Sequence, residues 1–121
     1  TLIMDACFTG SSRDNQPLLA DARPVYIETT SGNIPSNMVV FSAASGNEIS
    51  SGYLGKNHGI FTYFMLKGLN GMADRNKDRK ITVSEMHSYL GKNVSQQARK
   101  IGRDQNPQLL GTDKNRVLLV Y

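Results

Sequence analysis

Apolar positions divide the chain into runs of two kinds. Thr1 to Ala6 (TLIMDA) and Met38 to Ala44 (MVVFSAA) are short, nearly continuous and finish in small residues, the pattern of buried strands. Arg116 to Tyr121 (RVLLVY) closes the chain in the same way and predicts a third strand. Two longer patterns between them have helical spacing. From Asn57 onward, IFTYFMLKGL carries apolar residues at 60, 61, 63, 64, 65, 66 and 69. That is too many for a one-faced surface helix, so this helix is expected to be largely covered, with Gly68 and Gly71 ending it. From about Val83 to Ile101 the apolar positions are 83, 86, 90, 94, 98 and 101, steps of three and four that draw one buried stripe. Gly102 and Pro107 stop that helix.

The remaining stretch, Gly10 to Asn37, mixes Ser, Asp, Asn and Gly with Pro17, Pro24 and Pro35 and reads as loop. Within it, PVYIETTSGNI is a candidate hairpin turning at Ser31 to Asn33. Three strands alternating with two helices predict an α/β layered fold, with apolar strands covered by helices on both faces. A three-stranded sheet leaves an edge beside its first strand. We therefore expect further strands from a preceding segment, and the abrupt apolar start at Thr1 points the same way. On this reading residues 1–121 are the C-terminal part of a single larger domain.

Composition narrows the picture in three places. With 121 residues and 39% hydrophobic content, the chain is one globular domain or part of one. The single cysteine makes no internal disulfide, no run reaches the roughly 18 apolar residues of a membrane span, and no signal-peptide pattern opens the chain. A reducing, cytoplasmic setting is the natural expectation, with no membrane partner. The net charge of +4 is spread among acidic residues rather than gathered with aromatics, a solvated surface rather than a nucleic-acid site.

Candidate chemistry starts at MDACFTG, where the first strand meets a turn at Gly10 and holds the only cysteine, Cys7. Most single cysteines are inert core residues. This one, however, stands at the carboxyl end of a strand, where α/β sheets bind ligands. Residues two apart on a strand share a face, so Asp5 and Cys7 point together while Ala6 points away. A carboxylate beside the sulfur disfavours the thiolate, which argues that Asp5 addresses a substrate cation instead.

DACFTG after an apolar strand is followed, in order, by VVFSAASGNEIS, HGIFTYFMLKGLNGMAD, ITVSEMHSYL and NPQLLG. This series resembles the caspase-like cysteine peptidases of the bacterial metacaspase (orthocaspase) type, over nearly the whole chain. The match is to the C-terminal half of the catalytic domain, from the nucleophile strand onward. The resemblance implies a caspase-like three-layer α/β/α sandwich, of which this chain holds three strands and two main helices of a mostly parallel sheet. It also implies that Cys7 is the nucleophile, its own amide donating to the oxyanion. Asp5 stands where the caspase signature QACRG has its glutamine in the S1 pocket, and metacaspase-like enzymes with aspartate there cleave after Arg or Lys. A pocket carboxylate pairs with a guanidinium and repels aspartate, so the physics agrees. Ser42 matches another wall of that pocket, the loop Gly46 to Ser51 is expected to run beside the substrate, and Glu48 to add negative charge.

In such enzymes the base is a His followed by Gly about fifty residues before the nucleophile, a position that precedes this chain. His58 is the alternative within it, though its place at a helix start favours capping or packing. His87 lies off the apolar stripe and reads as a surface residue. The chain alone is therefore expected to be inactive, its partners being the N-terminal part of the same domain and a peptide or protein with a basic P1 residue.

A second motif, DRNKDRKITVSE, matches a calcium loop with Asp74, Asn76 and Asp78 at positions one, three and five and Glu85 at twelve. Arg79 replaces the turn glycine at six, and Arg75, Lys77, Arg79 and Lys80 weaken a cation site. Thr82 and Glu85 read equally as a capping box. Related metacaspases are often calcium-dependent through acidic residues elsewhere, and Asp14 matches one such position. The peptidase chemistry itself requires no cofactor. Three readings thus stand: a cysteine endopeptidase, a caspase-like scaffold without activity, and a calcium-binding interaction module.

Overall fold

The computed structural model describes residues 1–5, 34–45 and 48–121, which form a mixed α/β arrangement. In chain order the elements are β1 (Leu2–Met4), β2 (Val40–Ser42), α1 (Ile60–Lys67), β3 (Lys80–Thr82), α2 (Val83–Lys100), β4 (Gln108–Leu110) and β5 (Val117–Val120). Cys7, Asp14 and the expected hairpin at Ser31 to Asn33 lie outside the described residues.

The principal sheet has the order β1-β2-β4. β1 runs parallel to β2, pairing Leu2 with Val40 and Met4 with Ser42, and the ladder continues one step as the Ala43 amide donates to the Met4 carbonyl at 3.0 Å. β4 is antiparallel to β2, with Phe41 opposite Leu109. The central strand is buried along its whole length, the behaviour of a strand covered on both faces. β1 is an edge among the described residues, and its Leu2 and Ile3 are 41% and 46% exposed.

The expected third strand is corrected here. Arg116 to Tyr121 does form a strand, β5, but it pairs antiparallel with β3 in a separate two-stranded ribbon. The principal sheet is completed instead by QLL of β4, three residues too short to show a period. Gly111 ends β4 with φ 112, a conformation L side chains rarely adopt, and a Cβ there would stand 2.5 Å from the Met38 carbonyl oxygen. The chain leaving β4 thus runs close beside Met38 and Val39, just before β2.

The helices form where the apolar spacing places them. α2 buries Val83, Met86, Leu90, Val94 and Ala98, the expected stripe, with Ile101 partly buried just beyond its end. Each such side chain contributes about 1.5–3 kcal/mol of burial in the larger cases. Its start is a capping box: the Thr82 hydroxyl accepts from the Glu85 amide, while the Glu85 carboxylate accepts from the Thr82 amide at 3.0 Å. α1 is covered less than its composition suggests. Ile60, Phe61 and Met65 are buried, Tyr63 and Phe64 half-buried, and Leu66 is exposed. Gly68, at its C-terminal end, lets α1 approach α2, since a Cβ there would stand 2.7 Å from the Met86 sulfur. An aromatic chain continues the packing, with Tyr53 edge-on to Tyr63 at 4.8 Å and Phe64 against Tyr89 at 6.3 Å.

Candidate functional site

Parallel pairing of β1 and β2 brings their carboxyl ends to the same side of the sheet. Asp5 follows β1 there and is half-buried. Its Oδ1 accepts from the Ser50 hydroxyl and its Oδ2 from the Thr62 hydroxyl, each at 2.5 Å. The two donors come from different segments. Ser50 belongs to the loop after β2, and Thr62 to the first turn of α1. A helical threonine commonly bonds back to the carbonyl one turn earlier. Here the hydroxyl reaches across to a carboxylate 57 residues away in sequence.

Ser42, the last residue of β2, is the register partner of Met4 and so lies one strand from the start of the Asp5 turn. It is 8% exposed, and its hydroxyl donates to the Ala44 carbonyl at 3.1 Å, closing the turn after β2. Asp5 and Ser42 are therefore carried to one sheet end, by adjacent strands. Cys7 lies outside the described residues.

A residue that the sequence reading passed over binds this corner together. Gln105 is fully buried; its Nε2 donates to the Ala43 carbonyl and its Oε1 accepts from the Ser51 amide, both at 2.9 Å. It satisfies two buried backbone groups on the segments that flank Ser42 and Ser50. The Ser95 hydroxyl of α2 in turn donates to the Gln105 carbonyl at 2.9 Å. The signal available in the sequence was weak: a glutamine just before Asn-Pro, in a stretch read only as a helix stop.

Glu48 takes a structural position. Its carboxylate accepts from the Asn106 amide at 2.6 Å, from the Asn106 side chain at 2.5 Å and from the Ser45 amide at 3.2 Å. Burial alone raises its pKa, but the hydrogen bonds from Asn106 and Ser45 together outweigh it and hold the carboxyl below its ordinary value. The carboxylate thus ties the loop after β2 to the segment after α2 while keeping its negative charge.

The histidines are apart from this network. His58 is exposed and caps nothing, because the N-cap of α1 is Gly59 with no side-chain bond. Its backbone carbonyl accepts from the Tyr53 amide at 3.0 Å across the turn of residues 52–59. His87 is half-buried beside the apolar stripe of α2.

In the Asp74 loop the acidic side chains are turned toward the loop's own backbone. Asp74 accepts from the Lys77 amide at 2.7 Å and from the Arg79 amide and the Tyr121 hydroxyl at 3.0 Å each. Desolvation raises its pKa, yet those bonds, Tyr121 foremost, bring it below the ordinary value. The carboxylate of Asp78 accepts from the Lys80 amide at 2.9 Å, and Glu85 is held by the capping box. Lys77 and Arg79 both take positive φ, 61 and 63, so position six makes the sharp turn without glycine. Among the described residues, no three His, Cys, Asp or Glu side chains converge as a metal-ligand group. No helix among them is long and apolar enough to cross a membrane.

No family model, curated protein or solved structure matches this chain.

Proposed function

We propose that the chain is the C-terminal part of a caspase-like cysteine endopeptidase of the metacaspase type, cleaving after Arg or Lys. The observation that carries this reading is the Asp5 carboxylate, held by two hydroxyls at the carboxyl end of a parallel strand pair, two residues before Cys7. A carboxylate at this position is the natural counter-charge for a guanidinium, with which it pairs through two parallel N–H bonds.

In the proposed reaction a histidine from the preceding segment removes the Cys7 proton, and the thiolate attacks the scissile carbonyl carbon. The Cys7 amide donates to the oxygen as it gains charge. The C–N bond then breaks, the histidine proton goes to the leaving amine, and water hydrolyses the thioester. Asp5 supplies charge complementarity to the P1 side chain, with Ser42 as a neighbouring wall. None of these steps needs a cofactor.

The test is labelling of the full-length protein with an arginyl chloromethylketone, followed by peptide mapping. Modification of Cys7, and complete loss of Arg-peptide cleavage in Cys7→Ala, are the expected results. A label on any other residue overturns the reading. One observation favours the scaffold alternative: a carboxylate bonded to two internal hydroxyls also ties β1 to α1 structurally. Under that alternative Asp5→Asn retains the fold and the protein cleaves no Arg or Lys peptide before or after the substitution.

A further inference from the structure

Among the described residues, the Asp5 carboxylate receives one hydroxyl on each oxygen, and these donors sit on separate, well-packed elements. Thr62 is placed by the first turn of α1, between Phe61 and the half-buried Tyr63, where neighbouring Ile60 and Phe61 are core residues. Ser50 is itself fully buried, and the next residue, Ser51, is fixed through its amide by Gln105. A single donor would let a carboxylate rotate about its Cβ–Cγ bond. Two donors on opposite oxygens from two rigid supports set the plane of the group.

That plane matters differently to the two basic side chains. A guanidinium is flat and pairs with a carboxylate through two parallel N–H bonds, so its affinity depends on the orientation of the carboxylate. An ammonium is a compact charge with rotating donors, and it accepts almost any orientation. We propose that Ser50 and Thr62 are specificity-determining positioning residues, which hold the Asp5 carboxylate in the plane that favours Arg over Lys at P1. The proposal rests on the peptidase reading above and adds to it the substrate preference and the groups that set it.

The role belongs to the hydroxyls rather than to side-chain bulk, so substitutions that conserve size separate the two. In the full-length protein, Thr62→Val keeps the volume and removes the donor, Thr62→Ser keeps the donor, and Ser50→Ala removes the other one. Cleavage of matched peptides with Arg or Lys at P1 is measured for each, with thermal unfolding as a check on the fold. The expected result is a fall of about tenfold in the Arg-to-Lys ratio of kcat/KM for Thr62→Val and Ser50→Ala, carried by a higher KM for Arg with kcat retained. Thr62→Ser is expected to keep the parental ratio even if its melting temperature drops. A protein whose Cys7 takes the arginyl label, but whose Arg-to-Lys ratio is the same in Thr62→Val, Ser50→Ala and the parent, overturns this proposal and leaves the peptidase reading standing. A parent that neither cleaves nor takes the label at Cys7 overturns that reading, and the proposal with it.

Discussion

Two carboxylate-centred regions of this molecule are built on opposite principles. Among the described residues, Asp5 collects hydroxyl partners from 45 and 57 residues away, and the corner it occupies is completed by Gln105, whose bonds span 54 and 62 residues. Among the described residues, Asp74 collects backbone donors from three and five residues away, with the Tyr121 hydroxyl as a distant donor. The first arrangement exists only once the sheet, α1 and the segment after α2 have assembled. The second is a turn that a dozen residues form largely among themselves. Long-range bonds around a half-buried group make geometry sensitive to the rest of the fold, which suits a site; local bonds in an exposed loop make a joint between elements.

The contrast breaks most readily at Gln105. Gln105→Leu leaves the Ala43 carbonyl and the Ser51 amide buried without their partner, and a loss of about 3 kcal/mol is expected in denaturant unfolding. An effect under about 0.5 kcal/mol would mean that the corner is not held from a distance. Next comes Asp5→Ala in the full-length protein, for which the proposed peptidase reading expects kcat/KM to fall about a hundredfold more for an Arg peptide than for an uncharged one. An unchanged Arg preference overturns the proposed S1 role of Asp5. In the local loop, by contrast, one substitution should help: Arg79 sits at φ 63, so Arg79→Gly is expected to raise stability by about 1 kcal/mol, read from the shift of the urea midpoint.

The smallest effect is a pH dependence of the Glu48 tether. Its folded pKa lies below its ordinary value of 4.5. Carboxylate bonding to Asn106 and Ser45 therefore contributes stability in full above about pH 4.5, and the contribution is lost as pH falls through the lowered folded value. Glu48→Gln should flatten the stability profile across that window. A profile identical to the parent would show that the tether is not the group titrating there.

Much of the helical framework was readable from spacing alone. Val83, Met86, Leu90, Val94 and Ala98 recur at three and four residues, a period that only a helix with one buried face satisfies. The capping box at Thr82 and Glu85 was readable for the same reason, since its partners are three residues apart. Strand partnership was not. RVLLVY has every mark of a core strand, while QLL has almost none, yet QLL joins the principal sheet and RVLLVY pairs with β3. Apolar content registers burial, but which edge a short strand meets is set by how the elements pack. The site divides in the same way. Asp5 and Ser42 were legible as residues at strand ends, whereas Thr62 looked like one more position in an apolar helix and Gln105 like part of a stop signal.

By itself, then, the sequence determined what local periodicity and neighbouring residues can encode: the two helices and the capping box of α2, the apolar character of β1 and β2, and the placing of Asp5 two residues before Cys7. Only the tertiary structure decided that Ser50 and Thr62 meet the Asp5 carboxylate, that Gln105 locks the corner, and that Glu48 bonds to Asn106. The physical reason is range. A hydrogen bond between residues three apart is set by the local backbone, while one across 57 residues is set by the packing of every element between them.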